Sequence, residues 1–137
     1  MTCAGGCSCG AVHYTISADP IRGFQCQCRD CQMDSGGGHS SVFVFPRSTL
    51  EISGEVREIT RTSDRGTTKR KGFCATCGVS IYNKPDKFPD LIGIYVGSLD
   101  DAASFKPAAV FYAARGYAWD FLDPDVPKVP EWRSGPD

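Results

Sequence analysis

Seven of the eight cysteines in this chain stand in three tight clusters: Cys7-Ser-Cys9, Cys26-Gln-Cys28-Arg-Asp-Cys31 and Cys74-Ala-Thr-Cys77. Thiolates one or two residues apart can converge on one soft cation, and zinc is the usual occupant where no redox change is required. Two clusters are pairs that run straight into glycine, at Gly10 and Gly78, while residue 32 after the triplet is glutamine. Two pairs make a closed tetrahedral site, whereas a triplet leaves zinc one ligand short. A closed site holds a fold together, and an open one can do chemistry. The expectation is one structural zinc on Cys7, Cys9, Cys74 and Cys77 and one catalytic zinc on Cys26, Cys28 and Cys31.

The energies favour the staple. Joining the pairs closes a loop from Cys9 to Cys74 at about 4 kcal/mol. A four-thiolate zinc site contributes about 10–16 kcal/mol. Glycine after each pair permits a tight turn with φ > 0, and such turns aim backbone N–H groups at the sulfurs. At the triplet, a zinc with three thiolates is net negative and has a place for water or an incoming thiolate. Soft ligands suit it, so a thiol substrate fits better than a phosphate or carboxylate, and a thiol bound there would lose its proton near neutral pH. The alternative is that Cys3 or His39 completes the tetrahedron and makes this site structural too. Cys3, near the amino terminus, reads as a mobile spare thiol. His39 reads as a loop histidine able to swing toward the metal.

Other residues could serve the triplet. Ser35-Gly36-Gly37-Gly38 offers either successive N–H groups for an anion or a flexible connector. Between 55 and 71 the chain carries Arg57, Arg61, Arg65, Lys69, Arg70 and Lys71 against Glu55, Glu58 and Asp64. Such a run is by default a solvated face; bordering the open zinc, it would hold the carboxylates of a small acidic thiol.

The elements that must position these residues are almost all strands. Val12, Tyr14 and Ile16 alternate with polar neighbours, the period of a half-buried strand. Further strands are expected over 41–45, 50–53, 56–62, 67–73, 79–82, 91–96 and 110–113, with a hairpin across Ser63-Asp-Arg-Gly66. Only 29–34 suggests a helical turn. The fold class is therefore all-β, with residues 1–119 as the folded domain. Residues 120–137, rich in proline, form an extended tail packed on that domain or fraying from it.

Composition narrows the class further. The 137 residues are 41% hydrophobic and 23% charged, with a formal net charge of −1, so nothing draws the chain toward nucleic acid. No apolar run approaches the roughly 20 residues of a membrane span. The amino terminus lacks the basic and apolar regions of a signal peptide, which points to a reducing cytoplasm and to metal rather than disulfides. Four disulfides in a secreted domain is the competing reading, and C-x-C spacing suits ligation better than cross-linking.

The order Gly6-Cys-Ser-Cys-Gly-Ala-Val12, then Cys26-x-Cys-x-x-Cys31 with Ser35-Gly36, then Phe73-Cys-x-x-Cys-Gly78 resembles the glutathione-dependent formaldehyde-activating enzyme family. That family includes a centromere-associated branch, centromere protein V. Gly97-Ser-Leu-Asp-Asp101 ahead of Pro107, and Arg115 before Trp119, fit as well, so the similarity runs from about Gly5 to Pro130. The resemblance implies a β-tent, short antiparallel sheets around a structural four-cysteine zinc, with a second zinc on the triplet where glutathione sulfur can bind. It implies a carbon–sulfur lyase that joins glutathione to formaldehyde or a similar small aldehyde, or splits the adduct. Many members read Cys-His-Cys at the triplet, whereas this chain has Gln27, which cannot shuttle a proton. A non-catalytic thiol carrier or protein-interaction module is the alternative use of the same scaffold. For a tryptophan such as Trp119, core packing is the expectation.

Overall fold

A computed structural model of the chain describes residues 3–63 and 66–132. Among these residues ten strands form two sheets, and one short α-helix joins two of the strands. In chain order they are β1 (Cys3–Gly6), β2 (His13–Ile16), β3 (Arg22–Cys26), α1 (Arg29–Ser35), β4 (Ser40–Pro46), β5 (Leu50–Ser53) and β6 (Val56–Thr62). They continue with β7 (Thr68–Cys74), β8 (Ser80–Pro85), β9 (Leu91–Tyr95) and β10 (Val110–Phe111). The small sheet has the order β1-β2-β5 and the large one β10-β3-β4-β9-β8-β7-β6. Neighbours are antiparallel except β10, which runs parallel to β3. The all-β expectation holds: short sheets lean together, and the four-cysteine cluster ties one to the other.

The main core lies between the sheets. Alternation in β2 turns Tyr14 and Ile16 inward, and Phe43, Phe45, Ile92 and Ile94 meet them from one face of the large sheet. Each such side chain contributes about 1.5–3 kcal/mol by leaving water. A second, smaller cluster of Cys26, Cys31, Phe111 and Tyr112 sits at the β3–β10 end, with Phe24 and Trp132 against it. There the chain after residue 120 is fixed in place. The Val129 N–H donates to the Val110 carbonyl and the Tyr112 N–H to the Glu131 carbonyl, at 2.8 and 2.9 Å. Residues 133–137 lie outside the described residues.

Two strands were not expected from the sequence, and the reason is physical. β1 is Cys-Ala-Gly-Gly and β3 is Arg-Gly-Phe-Gln-Cys. A Cβ on Gly5 would collide with the Ser98 carbonyl oxygen and the Tyr14 hydroxyl, and one on Gly23 would stand 2.9 Å from Phe105. These glycines admit neighbours at close range, and in doing so they erase the pattern that marks a strand. Cys3, expected to be mobile, is instead half-buried in β1, opposite Ile16.

Hairpin β6–β7 forms as expected, with Thr62 opposite Thr68. Ser63 and Thr67 hydroxyls bond across its mouth at 2.6 Å. Asp64 and Arg65, which the sequence places in the turn and in the charged run, lie outside the described residues.

Candidate functional site

Cys7 and Cys9 occupy the turn between β1 and β2, and Cys74 and Cys77 the turn that begins at the end of β7. Both turns close as the glycines suggested. Gly10 and Gly78 have φ of 82° and 80°. The Cys7 N–H donates to the Val12 carbonyl at 3.1 Å, and the Gly78 N–H to the Cys74 carbonyl at 2.9 Å. All four sulfurs lie within 4.8 Å of one another. The Cys7–Cys9 separation is 3.6 Å and the Cys9–Cys74 separation 3.8 Å. A tetrahedron of sulfurs about 2.3 Å from its centre has an edge of about 3.8 Å, so the cluster has the dimensions of a four-thiolate metal site. The N–H of Val12 points at the Cys7 sulfur at 3.2 Å, and those of Thr76 and Cys77 at the Cys74 sulfur at 3.4 Å. The Cys77 thiol is held down to about 6, first by the Val79 N–H and then by that of Cys9.

The triplet is built differently. Cys26 ends β3, Cys28 caps α1 and Cys31 lies in its first turn. The Cys28 sulfur accepts from the Cys31 N–H at 3.4 Å. Gln32 fixes this turn, its side-chain amide donating to the Gln27 carbonyl at 3.0 Å and to the Arg115 carbonyl at 3.4 Å. The three sulfurs also lie within 4.8 Å of one another, and no fourth cysteine, histidine or carboxylate joins them among the described residues. Contact with Cys26 and Cys31 holds Cys28 well below the ordinary thiol value, while the same contacts push Cys26 far up. Three thiols this close ionise together only if a cation takes up the charge.

His39 and Gln27 point elsewhere. The His39 Nδ1 sits 2.9 Å from the Asp120 carboxylate, and Gln27 Nε2 donates to the same carboxylate at 3.0 Å. Asp120 thus links the middle of the triplet to the loop before β4. The glycine run serves this packing. Gly36 caps α1 with φ 74°, and Gly38 leaves the space that Asp120 fills.

The charged hairpin is more than a solvated face. Asp34, with a fully buried side chain at the end of α1, gathers Arg61 at 3.1 Å, Lys69 at 3.2 Å and Lys71 at 3.3 Å. Tyr95 donates to the same carboxylate at 3.5 Å. Burial draws Lys69 downward, but its acidic neighbours Tyr95, Cys31 and Asp34 outweigh it and hold the ammonium above its ordinary value. Further along, Glu58 pairs with Lys84 at 2.9 Å and accepts from the Tyr82 hydroxyl at 2.5 Å.

A cleft of about 160 Å³ opens over the triplet on the second face of the large sheet. Phe24, Val42, Val44 and Leu91 border it, with Lys69, Arg115 and Trp132 around them. Sequence reasoning missed Trp132, which lies beyond the patterned strands. It favoured the core for Trp119, which is 67% exposed and stacks on Tyr117 at 5.2 Å.

The family model for the glutathione-dependent formaldehyde-activating enzyme matches residues 2–115, a span that includes all three cysteine clusters. The chain belongs to that family. A Halomonas elongata protein provisionally named a glutathione-dependent formaldehyde-activating enzyme is 26% identical over 115 residues, covering 80% of this chain and 73% of that one. A Rhodobacter sphaeroides protein of known crystal structure has the same fold. It superposes with a TM-score of 0.56 at 19% identity, covering 76% of this chain and 91% of the other. The family name brings glutathione and formaldehyde together with the thiol-rich centres seen here. Among the described residues no helix is long and apolar enough to cross a membrane.

Proposed function

We propose that this protein is a zinc-dependent carbon–sulfur lyase acting on glutathione-type thiol adducts of formaldehyde or another small aldehyde. Cys7, Cys9, Cys74 and Cys77 would hold a structural zinc, and Cys26, Cys28 and Cys31 a catalytic one. The observation that carries the reading is the unequal pair of centres. One offers four sulfurs and is closed; the other offers three beneath a cleft that a substrate can enter.

Zinc on the triplet would supply a Lewis-acidic open position that ionises a thiol near neutral pH. The protein's own residues do the rest. Lys69, fixed by Asp34, places a permanent positive charge beside the sulfurs and offsets the excess negative charge of three thiolates. Gln32 and Asp120 both hold Gln27, in the middle of the Cys26–Cys28 turn, the first by its carbonyl and the second by its side-chain amide, so the sulfurs stay at ligand spacing. In the lyase direction the adduct's carbon–sulfur bond breaks and its hydroxyl becomes the aldehyde carbonyl. The electron pair stays on sulfur, and the hydroxyl proton ends on the released thiol once it leaves. Positioning in the cleft provides the acceleration, since a stabilised thiolate is a weaker nucleophile than a free one.

Cys28→Ser tests the assignment with little structural cost, because serine caps a helix at least as well as cysteine. Exchange between thiol and S-hydroxymethyl adduct should fall at least about a hundredfold, to the buffer rate, with the melting curve nearly unchanged. Undiminished exchange in that variant would overturn the catalytic role of the triplet.

A further inference from the structure

Strand β3 lays three side chains along one face of the large sheet. Gly23 turns the other way, toward Phe43 and Phe105, and Gln25 donates to the Ser41 hydroxyl. Alternation puts Arg22, Phe24 and Cys26 on the opposite face, and all three line the cleft over the triplet. Arg22 stands four residues back from Cys26, about 13 Å along a strand. The floor between them changes in character. Beside Phe24, which is paired with Val42, it is apolar. At the level of Arg22, the row runs through Val44 and Gly93 to Asn83. Gly93 leaves the space that the Asn83 side-chain amide fills, 2.8 Å from where a Cβ would stand. The cleft is thus sulfur-rich at one end, apolar in the middle, and polar and cationic at the other end.

We infer that Arg22 determines which thiol is taken, by receiving the terminal carboxylate of a peptide thiol whose sulfur lies at the triplet. This rests on the thiol chemistry proposed above. The cations lining the cleft are Arg22, Lys69, Lys87 and Arg115, against the single carboxylate of Asp30. Such a balance draws in an anionic thiol. The four cations differ in position. Lys69 and Arg115 belong to the sulfur end, the first held by Asp34 and the second over the Tyr112 ring. Lys87 is exposed in the turn after β8. Arg22 is tied to Cys26 by one continuous strand, so its distance from the sulfurs works as a ruler. An extended tripeptide spans about 10 Å, and the arginine side chain closes the remainder. A thiol as small as 2-mercaptoethanol ends well short of it. The guanidinium grips a carboxylate through two parallel N–H donors, which a lysine does not offer. Amide groups along the peptide lose water in such a cleft and need partners there. The Ser40 and Thr68 hydroxyls and the Asn83 amide, all on its lining, supply them.

Calorimetry on the zinc-loaded protein tests this with glutathione and its diethyl ester, which keeps the thiol and the peptide but loses both carboxylate charges. Glutathione should bind about ten- to a hundredfold tighter, the usual worth of a hydrogen bond to a charged group. Arg22→Gln should lose most of that preference, and Arg22→Lys should keep part of it. The preference is a ratio, so a general weakening of the site leaves it unmoved. Equal affinity for acid and ester in the wild type, or a preference that survives Arg22→Gln, would overturn the inference and leave the thiol chemistry standing. Failure of both compounds to bind would overturn the two together.

Discussion

The four-sulfur centre lies in exposed turns, with Cys9 and Cys77 open to solvent, and spans the two sheets. The three-sulfur centre is enclosed, with Cys26 and Cys31 buried, and belongs to one end of a single sheet. Backbone N–H groups from Val12, Thr76 and Cys77 serve the first. The second has one such contact, from Cys31, and draws on the Lys69 ammonium held by Asp34. In the proposed reading the same kind of sulfur is put to two uses by its surroundings. Short glycine turns make a rigid, self-contained staple. A helix start, a buried ion cluster and a cleft make a site with room for a visitor.

The sharpest way to break this contrast is to remove one sulfur from each side. Cys74→Ser should cost most or all of the folded state. The metal contribution of about 10–16 kcal/mol exceeds the 5–15 kcal/mol by which domains are usually stable. Loss of the cooperative melting transition is the expected readout, against the nearly unchanged melt of Cys28→Ser. Equal melting of the two variants would mean that both centres are structural.

A smaller effect separates the centres by charge. Lys69→Met should weaken the triplet's hold on its ion about tenfold, as expected for losing one partly screened charge several ångströms away. The four-sulfur ion should be unaffected in the same chelator competition, and Lys69→Arg should restore wild-type retention. If both ions are lost in parallel, Lys69 is acting through the fold rather than on the triplet.

The smallest effect belongs to a region remote from the cleft chemistry. Glu58 is held below the ordinary carboxylate range, first by the Tyr82 hydroxyl and then by Lys84. A depressed native value means that this contribution is present above the unfolded value of about 4.3 and fades as pH falls through the native one. Comparing wild type with Glu58→Gln should show at most about 2 °C of melting difference at neutral pH, vanishing in acid. Taking the difference between the two proteins cancels the separate acid loss of metal from the thiolates.

Much of this was legible in the chain. The cysteine spacing separated pairs from triplet, alternation located β2, and runs bounded by turn residues located most of the large sheet. What escaped was whatever depends on distant partners. β1 and β3 are disguised by glycines whose purpose is to admit Tyr14, Ser98 and Phe105. Asp34 is a lone acid in sequence, and only the pairing of β6 with β7 brings Arg61 and Lys69 opposite each other beside it. Trp132 and Asp120 reach the site from a segment with no periodic pattern at all. The helix cap at Gly36 and the space left by Gly38 were ambiguous because glycine reports permission, not use.

The most direct measurement is a thiol titration of the cobalt-loaded protein, following how many bound ions change their absorption. Two ions bound with one responding to 2-mercaptoethanol, and none responding in Cys28→Ser, is the result expected of one closed and one open centre. A single bound ion, or two that respond alike, would contradict that division of roles.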